Sequence, residues 1–203
     1  MTLADGAIKK LEAHVWEREV NEHYVEPAWC SKRLFEDEGF EGSVYDPCCG
    51  FGTIVIEALK HGIPAYGSDL VDRGWDSTRT PHDFLTPSVE SHQNIVCNPP
   101  FNIAQAFAAA ALARAERKVA MIFPTARLNA AHWLRGTPLR RVWMMTPRPS
   151  MPPGHTITAG EKPGGGKMDF CWLVWSQGFQ GDASIKWLRR DAESPAVRTT
   201  QEK

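Results

Sequence analysis

Apolar residues recur along this chain with two periods. Over residues 1–20, Leu3, Ala7, Ile8, Leu11 and Val15 fall at helical spacing, which predicts an amphipathic helix. A second helix is expected from Pro27, a residue suited to a first helical turn, to Gly39, with Trp29, Leu34 and Phe35 on its apolar side. Beyond Gly39 short β-rich runs alternate with helical segments. Strands are predicted at 43–47, 64–70, 94–98, 118–124, 140–146 and 168–175, and helices at 53–62, 104–116 and 126–136. Several strand runs are apolar throughout, as in strands covered on both faces, and strand–helix alternation produces parallel neighbours. The pattern therefore predicts an α/β fold with a doubly wound, mainly parallel sheet.

Two stretches break the rhythm. Residues 71–93 are polar and are expected to be mostly loop, with one short strand near His82–Phe84. Residues 147–167 hold five of the fifteen prolines together with many glycines, and irregular insertions of that length commonly carry function. The segment 191–203 reads as a disordered tail. Of the eight tryptophans, Trp133, Trp143, Trp172, Trp175 and Trp187 are expected in the core.

Composition narrows the class. Hydrophobic residues at 42% and charged residues at 23% exclude a disordered chain and a membrane protein. No apolar run approaches 18 residues, and the N-terminus carries charges where a signal peptide needs an apolar core, so a cytoplasmic protein with no membrane partner is expected. The five cysteines are an odd number with Cys48 and Cys49 adjacent, which suits a reducing compartment. No CxxC pair or ligand-spaced histidine is present, so no metal is expected. Net charge is only −1, but Arg114, Arg117, Lys118, Arg127, Arg135, Arg140, Arg141 and Arg148 face the single acid Glu116 within that stretch, whereas acids outnumber bases from Glu36 to Glu90. This is either a set of solvated faces or a phosphate-facing side opposite an acidic cofactor pocket.

The candidate chemistry begins at DPCCGFGT, residues 46–53, where the first β-rich run enters a helix. Gly50 and Gly52 permit a tight turn and close approach of backbone to a ligand. A second acid, Asp69, closes the next strand 23 residues after Asp46, a position from which a carboxylate accepts hydrogen bonds from ribose hydroxyls. The turn lacks the third glycine of a dinucleotide fingerprint, and Asp46 can meet a cation, so S-adenosylmethionine fits better than NAD. Further along, the strand 94–98 stops at Asn98-Pro99-Pro100-Phe101, at the carboxyl end where open α/β sheets bind ligands. The prolines have no N–H and leave carbonyls on offer. The Asn98 side-chain oxygen and the Pro99 carbonyl could each accept an N–H from an exocyclic amine, while Phe101 stacks on the ring.

DPCCGFGT, the Asp69 strand end and NPPF, in this order, resemble the class I S-adenosylmethionine-dependent amino-methyltransferases, especially the N6-adenine DNA methyltransferases. The resemblance runs from about residue 21 to 188 and implies a Rossmann-like, seven-stranded catalytic domain over 1–190, with helices in 1–40. It implies a catalytic element at Asn98, Pro99, Pro100 and Phe101, and cofactor contacts from Asp46, Pro47, Cys48, Gly50, Gly52, Asp69 and Leu70. YVEP resembles the family's Tyr-x-Thr-Pro element, adding Tyr24 and Pro27, with Glu26 where the family often has Thr. HDF resembles the acidic element near the cofactor adenine, adding Asp83 and Phe84, and MDFCWLVW the late aromatic strand beside the target base. Too little sequence follows for a separate recognition domain, so the 147–167 loop, with Arg148 and Lys167, is the expected substrate contact. The implied activity is methyl transfer from S-adenosylmethionine to the N6 amine of a flipped adenine in DNA, in a compact phage or restriction–modification type of enzyme. RNA, a protein glutamine amide, or a catalytically inactive binding subunit are the alternatives.

Overall fold

The computed structural model describes residues 23–76, 79–160 and 166–191, so the amphipathic helix expected in 1–20 and the tail from 192 lie outside the described residues. In chain order the elements are α1 (Ala28–Asp37), β1 (Val44–Asp46), α2 (Thr53–Lys60), β2 (Ala65–Gly67), β3 (His92–Cys97), α3 (Ala104–Arg114), β4 (Ala115–Pro124), β5 (Leu139–Thr146), α4 (Gly154–Thr158), β6 (Phe170–Ser176) and β7 (Ser184–Arg189). They build one seven-stranded sheet in the order β2-β1-β3-β4-β6-β5-β7. The pairs β1–β2, β1–β3, β3–β4 and β5–β7 are parallel, and β6 runs antiparallel to both β4 and β5.

Alternation along each central strand separates two cores. Ile95, Cys97, Val119, Met121, Phe123, Leu173 and Trp175 point to one side and pack against Phe107, Ala108 and Ala111 of α3. Val96, Ala120, Ile122, Trp172 and Val174 point to the other and meet Cys30 and Leu34 of α1 with Ile54 and Ala58 of α2. Each fully buried side chain of this size is worth roughly 1.5–3 kcal/mol, so the continuous apolar runs are explained by burial on both faces. At the lower edge the buried Glu38 carboxylate takes Lys118 Nζ (2.6 Å), the Arg141 guanidinium and Trp143 Nε1 (3.1 Å), tying the end of α1 to β4 and β5.

The structure corrects several expectations. Residues 126–136 are not an α-helix: two 3₁₀ turns, Thr125–Ala130 and His132–Leu134, are separated at Ala131, whose ψ of 56° leaves helical space. No residue within either turn is fully buried; Leu128, Trp133 and Leu134 pack only partly on the core, and the buried Ala131 sits at the break between the turns. No strand forms at His82–Phe84; Ser68 and Arg79 make an isolated bridge, and the His82 N–H donates to the Asp69 carbonyl at 2.8 Å. The proline-rich insertion contains the short helix α4, and β7, which was not placed from the pattern, occupies the sheet edge. Trp187 is 63% exposed on β7 rather than in the core, with Ile185 also exposed beside it.

Candidate active site

The carboxyl ends of β1, β2 and β3 surround a cavity of about 330 Å³, and the sequence elements far apart in the chain meet there. At its base β1 ends in Asp46 and the chain bends through Gly50 (φ 52°) and Gly52 (φ 78°) into α2. These positive φ values are what glycine supplies at no steric cost. The bend is held from β2: Asp69 Oδ2 accepts the Gly50 N–H at 2.8 Å and Oδ1 accepts the Val71 N–H at 3.0 Å. Arg73 Nε also stands 4.0 Å from Asp69 Oδ1, and with about four acceptor sites the carboxylate can still accept a hydrogen bond from a ligand in the cavity that it lines. Asp46 Oδ1 accepts the Cys48 N–H at 3.1 Å.

Residues 23–27 run across this bend and are pinned by the proline-rich insertion. The Val25 N–H donates to the Pro152 carbonyl, the Gly154 N–H to the His23 carbonyl, and Tyr24 bridges Pro153. The His23 ring lies edge-on to Phe51 at 5.0 Å. The first half of the 147–167 segment is thus a brace for residues 23–27 beside the cavity, a role without a signal in the sequence. Arg148 lies outside the cavity in an ion pair with Asp169 at 2.6 Å, and Lys167 does not line it either.

Asn98 follows the last residue of β3. Its Nδ2 donates to the Tyr24 carbonyl and to Glu26 Oε2, each at 2.8 Å. A backbone carbonyl can only accept, so the amide orientation is fixed and the acceptor left for a ligand is Oδ1. Asn98, Pro100, Asn102 and Ile103 line the cavity beside Glu26 and Asp46. Pro99 is buried. Phe101 is partly buried against Phe170, with ring centroids 5.7 Å apart, and opens onto a second, shallower cavity of about 290 Å³ with Phe123, Arg127 and Trp133. Arg127 Nη1 donates to the Phe101 carbonyl at 2.9 Å and fixes that side of the loop.

Of the other expected cofactor contacts, Tyr24, Pro47, Cys48, Leu70, Asp83 and Phe84 line the first cavity. Phe84 packs on Phe107 and Tyr45, and Asp83 Oδ1 accepts the Leu85 N–H at 2.9 Å. Pro27 instead caps α1, and Gly52 turns its bare face to Trp75, whose ring would meet any added Cβ. Among the lining residues that had no role in the motif reading are His23, Arg73, His82, Ile103 and Phe107.

The electrostatics of the cavity are acidic. Burial raises the Glu26 carboxyl to about 7 against the pull of its Asn98 hydrogen bond. Burial also pushes Asp46 well above the usual carboxylate range, and the nearby charges of Glu26 and Asp69 add to the shift. Carboxyls crowded at the wall of a cavity favour a cationic ligand, whose charge restores their ionised forms. No group of residues fit to hold a metal ion occurs among the described residues.

The basic stretch does not form a phosphate-facing side around this cavity. Arg114, Arg117, Lys118, Arg140 and Arg141 lie at the opposite, amino-terminal ends of β4 and β5. Arg114 donates to the carbonyls of Phe84 and Thr86, Arg117 pairs with Glu41, and Lys118 and Arg141 pair with Glu38. Arg127 and Arg148, which follow the carboxyl ends of the same strands, are on the side of the site.

No protein-family model matches the sequence, and no curated protein matches it. Solved structures do match. A type I restriction–modification methyltransferase subunit from Streptococcus thermophilus aligns at TM-score 0.55 and 10% identity, over 82% of this chain and 47% of that one. A putative RNA methyltransferase from Pyrococcus horikoshii aligns at 0.52 and 14%, over 73% and 81%. Magnesium protoporphyrin IX methyltransferase from Synechocystis, solved with bound S-adenosylmethionine, aligns at 0.51 and 16%, over 73% and 76%. This chain spans about half the length of the restriction–modification subunit. Identities this low speak for architecture alone: the chain has the Rossmann-like methyltransferase fold.

Proposed function

We propose that this chain is an S-adenosylmethionine-dependent methyltransferase acting on the exocyclic N6 amine of adenine in DNA. The observation that carries the reading is the Asn98 amide, held by the Tyr24 carbonyl and Glu26 so that its oxygen is the free acceptor beside an acid-walled cavity above a glycine bend. The donor set suits S-adenosylmethionine: Asp46 and Glu26 for its positive charges, Asp69 for the ribose, Asp83 and Phe84 for the adenine. When bound, the cofactor supplies a methyl group activated by its sulfonium.

The chain's own residues then position the acceptor. Asn98 Oδ1 and the Pro99 carbonyl each accept a hydrogen bond from one amine N–H, which aims the nitrogen lone pair and biases the nitrogen toward tetrahedral geometry. Phe101 and the second cavity offer an apolar face to the ring, a contact worth about 1–3 kcal/mol. Methyl transfer would leave the amine cationic and therefore acidic, so its proton would pass to solvent and the residues around Asn98 need supply no strong base. An adenine inside a duplex must first be extruded. Most of the basic stretch lies away from the site, which favours a protein glutamine amide, an acceptor with no phosphate to neutralise, as the second reading.

Incubation with methyl-labelled cofactor and separate DNA, RNA and ribosomal-protein pools, followed by nucleoside and peptide mass analysis, tests the reading. N6-methyladenine in the DNA pool alone is the expected product. Label confined to RNA or protein would replace the substrate, and no label in any pool, with no heat of S-adenosylmethionine binding, would leave a non-catalytic module.

A further inference from the structure

Glu26 stands where the resembling family often carries a threonine, yet it is only 8% exposed and its carboxylate reaches the amide that the chemistry depends on. A threonine hydroxyl is short and neutral; a glutamate at this point places an ionisable group between the cofactor cavity and Asn98. Resting on the function proposed above, we infer that Glu26 is a positioning residue: its carboxylate shares the Asn98 amide with the Tyr24 carbonyl, holds the amide oxygen toward the acceptor, and couples that alignment to the positive charge of the bound cofactor.

The surroundings of Glu26 make its ionisation responsive. From α1 the Cys30 thiol lies near it, from β1 the Asp46 carboxyl, and from β3 the Cys97 thiol and the Asn98 amide. Asp69 acts on Asp46 from β2, and the rest of the cavity wall carries His23, Arg73, His82 and Asp83. With the cavity open, burial holds the group near 7, so about half of the molecules carry the proton at neutral pH. A cation arriving in the cavity favours the carboxylate, and the proton leaves to the buffer. The carboxylate accepts the Asn98 N–H more strongly than the neutral acid does. Cofactor arrival therefore tightens the alignment of the amide, whereas the demethylated product, which lacks the sulfonium charge, relaxes it.

Two variants separate this from a packing role. Glu26→Gln keeps an acceptor oxygen for Asn98 and removes the titration; Glu26→Ala removes the acceptor. Calorimetry of wild type at pH 7 in two buffers of different ionisation enthalpy should show proton release on binding S-adenosylmethionine, less on binding S-adenosylhomocysteine, and none for the Glu26 proton in Glu26→Gln. Single-turnover transfer from the preformed cofactor complex should rise with pH through a midpoint below about 7 in wild type, because the bound cation favours the carboxylate; in Glu26→Gln it should lose that step, and in Glu26→Ala it should fall about 10- to 100-fold at saturating cofactor, beyond any loss of cofactor affinity. Thermal melts establish that both variants fold. Proton release unchanged in Glu26→Gln, or full transfer in Glu26→Ala, overturns the inference and leaves the methyltransferase reading intact. Absence of cofactor binding by wild type overturns both.

Discussion

A side-chain amide can face a ligand with either end, and what decides the matter at Asn98 is a neighbour without a proton. The Tyr24 carbonyl and Glu26 Oε2 claim the NH₂ group, and the oxygen is left for the acceptor. Glu26 also makes the stability of the unliganded protein depend on pH. Its carboxyl has an ordinary value of 4.5 and is raised to about 7 by burial, so the folded state retains a proton that the unfolded chain has lost. That contribution is fully present below pH 4.5 and disappears as pH rises through about 7. Asp46 is shifted in the same sense. Urea unfolding of the apoprotein should therefore give a stability lower at pH 8 than at pH 5, by on the order of 3 kcal/mol from Glu26. Glu26→Gln should reduce the slope to what Asp46 contributes, and an upward slope in wild type would show that Glu26 is ionised in the apoprotein throughout. Glu38, whose pKa is lowered mainly by Lys118, acts only on the acid side of this window.

At the scale of elements, the glycine bend is the feature on which cofactor-side geometry depends. Gly50 has φ 52°, and a Cβ there would meet His23 Nε2 at 2.7 Å. Gly50→Ala is expected to cost on the order of 1–3 kcal/mol of stability and to weaken cofactor binding at least tenfold, because the displaced strand is the one that carries Tyr24 and Glu26. Melting curves and calorimetry would measure both, and an unchanged affinity would disconnect the bend from the cofactor. What was legible in the sequence follows the same physics. The central strands were readable because burial on both faces leaves uninterrupted apolar runs, as at Ile95–Val96–Cys97. The sheet's outer strand β7 was not, because its large apolar residues Ile185 and Trp187 face solvent and only Leu188 is fully buried. The stretch 126–136 looked helical from local composition, but its core contacts, Leu128, Ala131, Trp133 and Leu134, are made by two 3₁₀ turns broken at Ala131. The glycine turn was readable because its positive φ angles call for Gly50 and Gly52, and the end of β3 was readable because the prolines after Asn98 cannot continue the ladder. The brace from Pro152–Gly154 to residues 23–25 was not, because it consists of backbone hydrogen bonds that any residues could make.

Taken as a whole, the molecule carries its site on one edge of the sheet and much of its basic stretch on the other. A count of arginines along the chain suggests a phosphate-binding side, but pairing with Glu38 and Glu41 and with the carbonyls of Phe84 and Thr86 uses half of those cations for the fold. Binding of duplex DNA by this chain alone should accordingly depend weakly on salt. With Arg127 and Arg148 as the cations of the basic stretch on the site's side, the slope of log affinity against log salt should be no steeper than about −3. Titration by fluorescence anisotropy measures it, and a slope of about −6 or beyond would mean that the far edge also engages phosphate. No helix among the described residues is long and apolar enough to cross a membrane.

The central claim, an amine gripped by Asn98 opposite a methyl donor, is tested most directly by comparing wild type with Asn98→Ala in single-turnover transfer of a labelled methyl group to adenine-containing DNA, with cofactor affinity measured on the same preparations. The account predicts that transfer falls at least about 1,000-fold, as when a group aligning the reacting atoms is lost, while S-adenosylmethionine affinity stays within about threefold. N6-methyladenine formed by Asn98→Ala at the wild-type rate would contradict it.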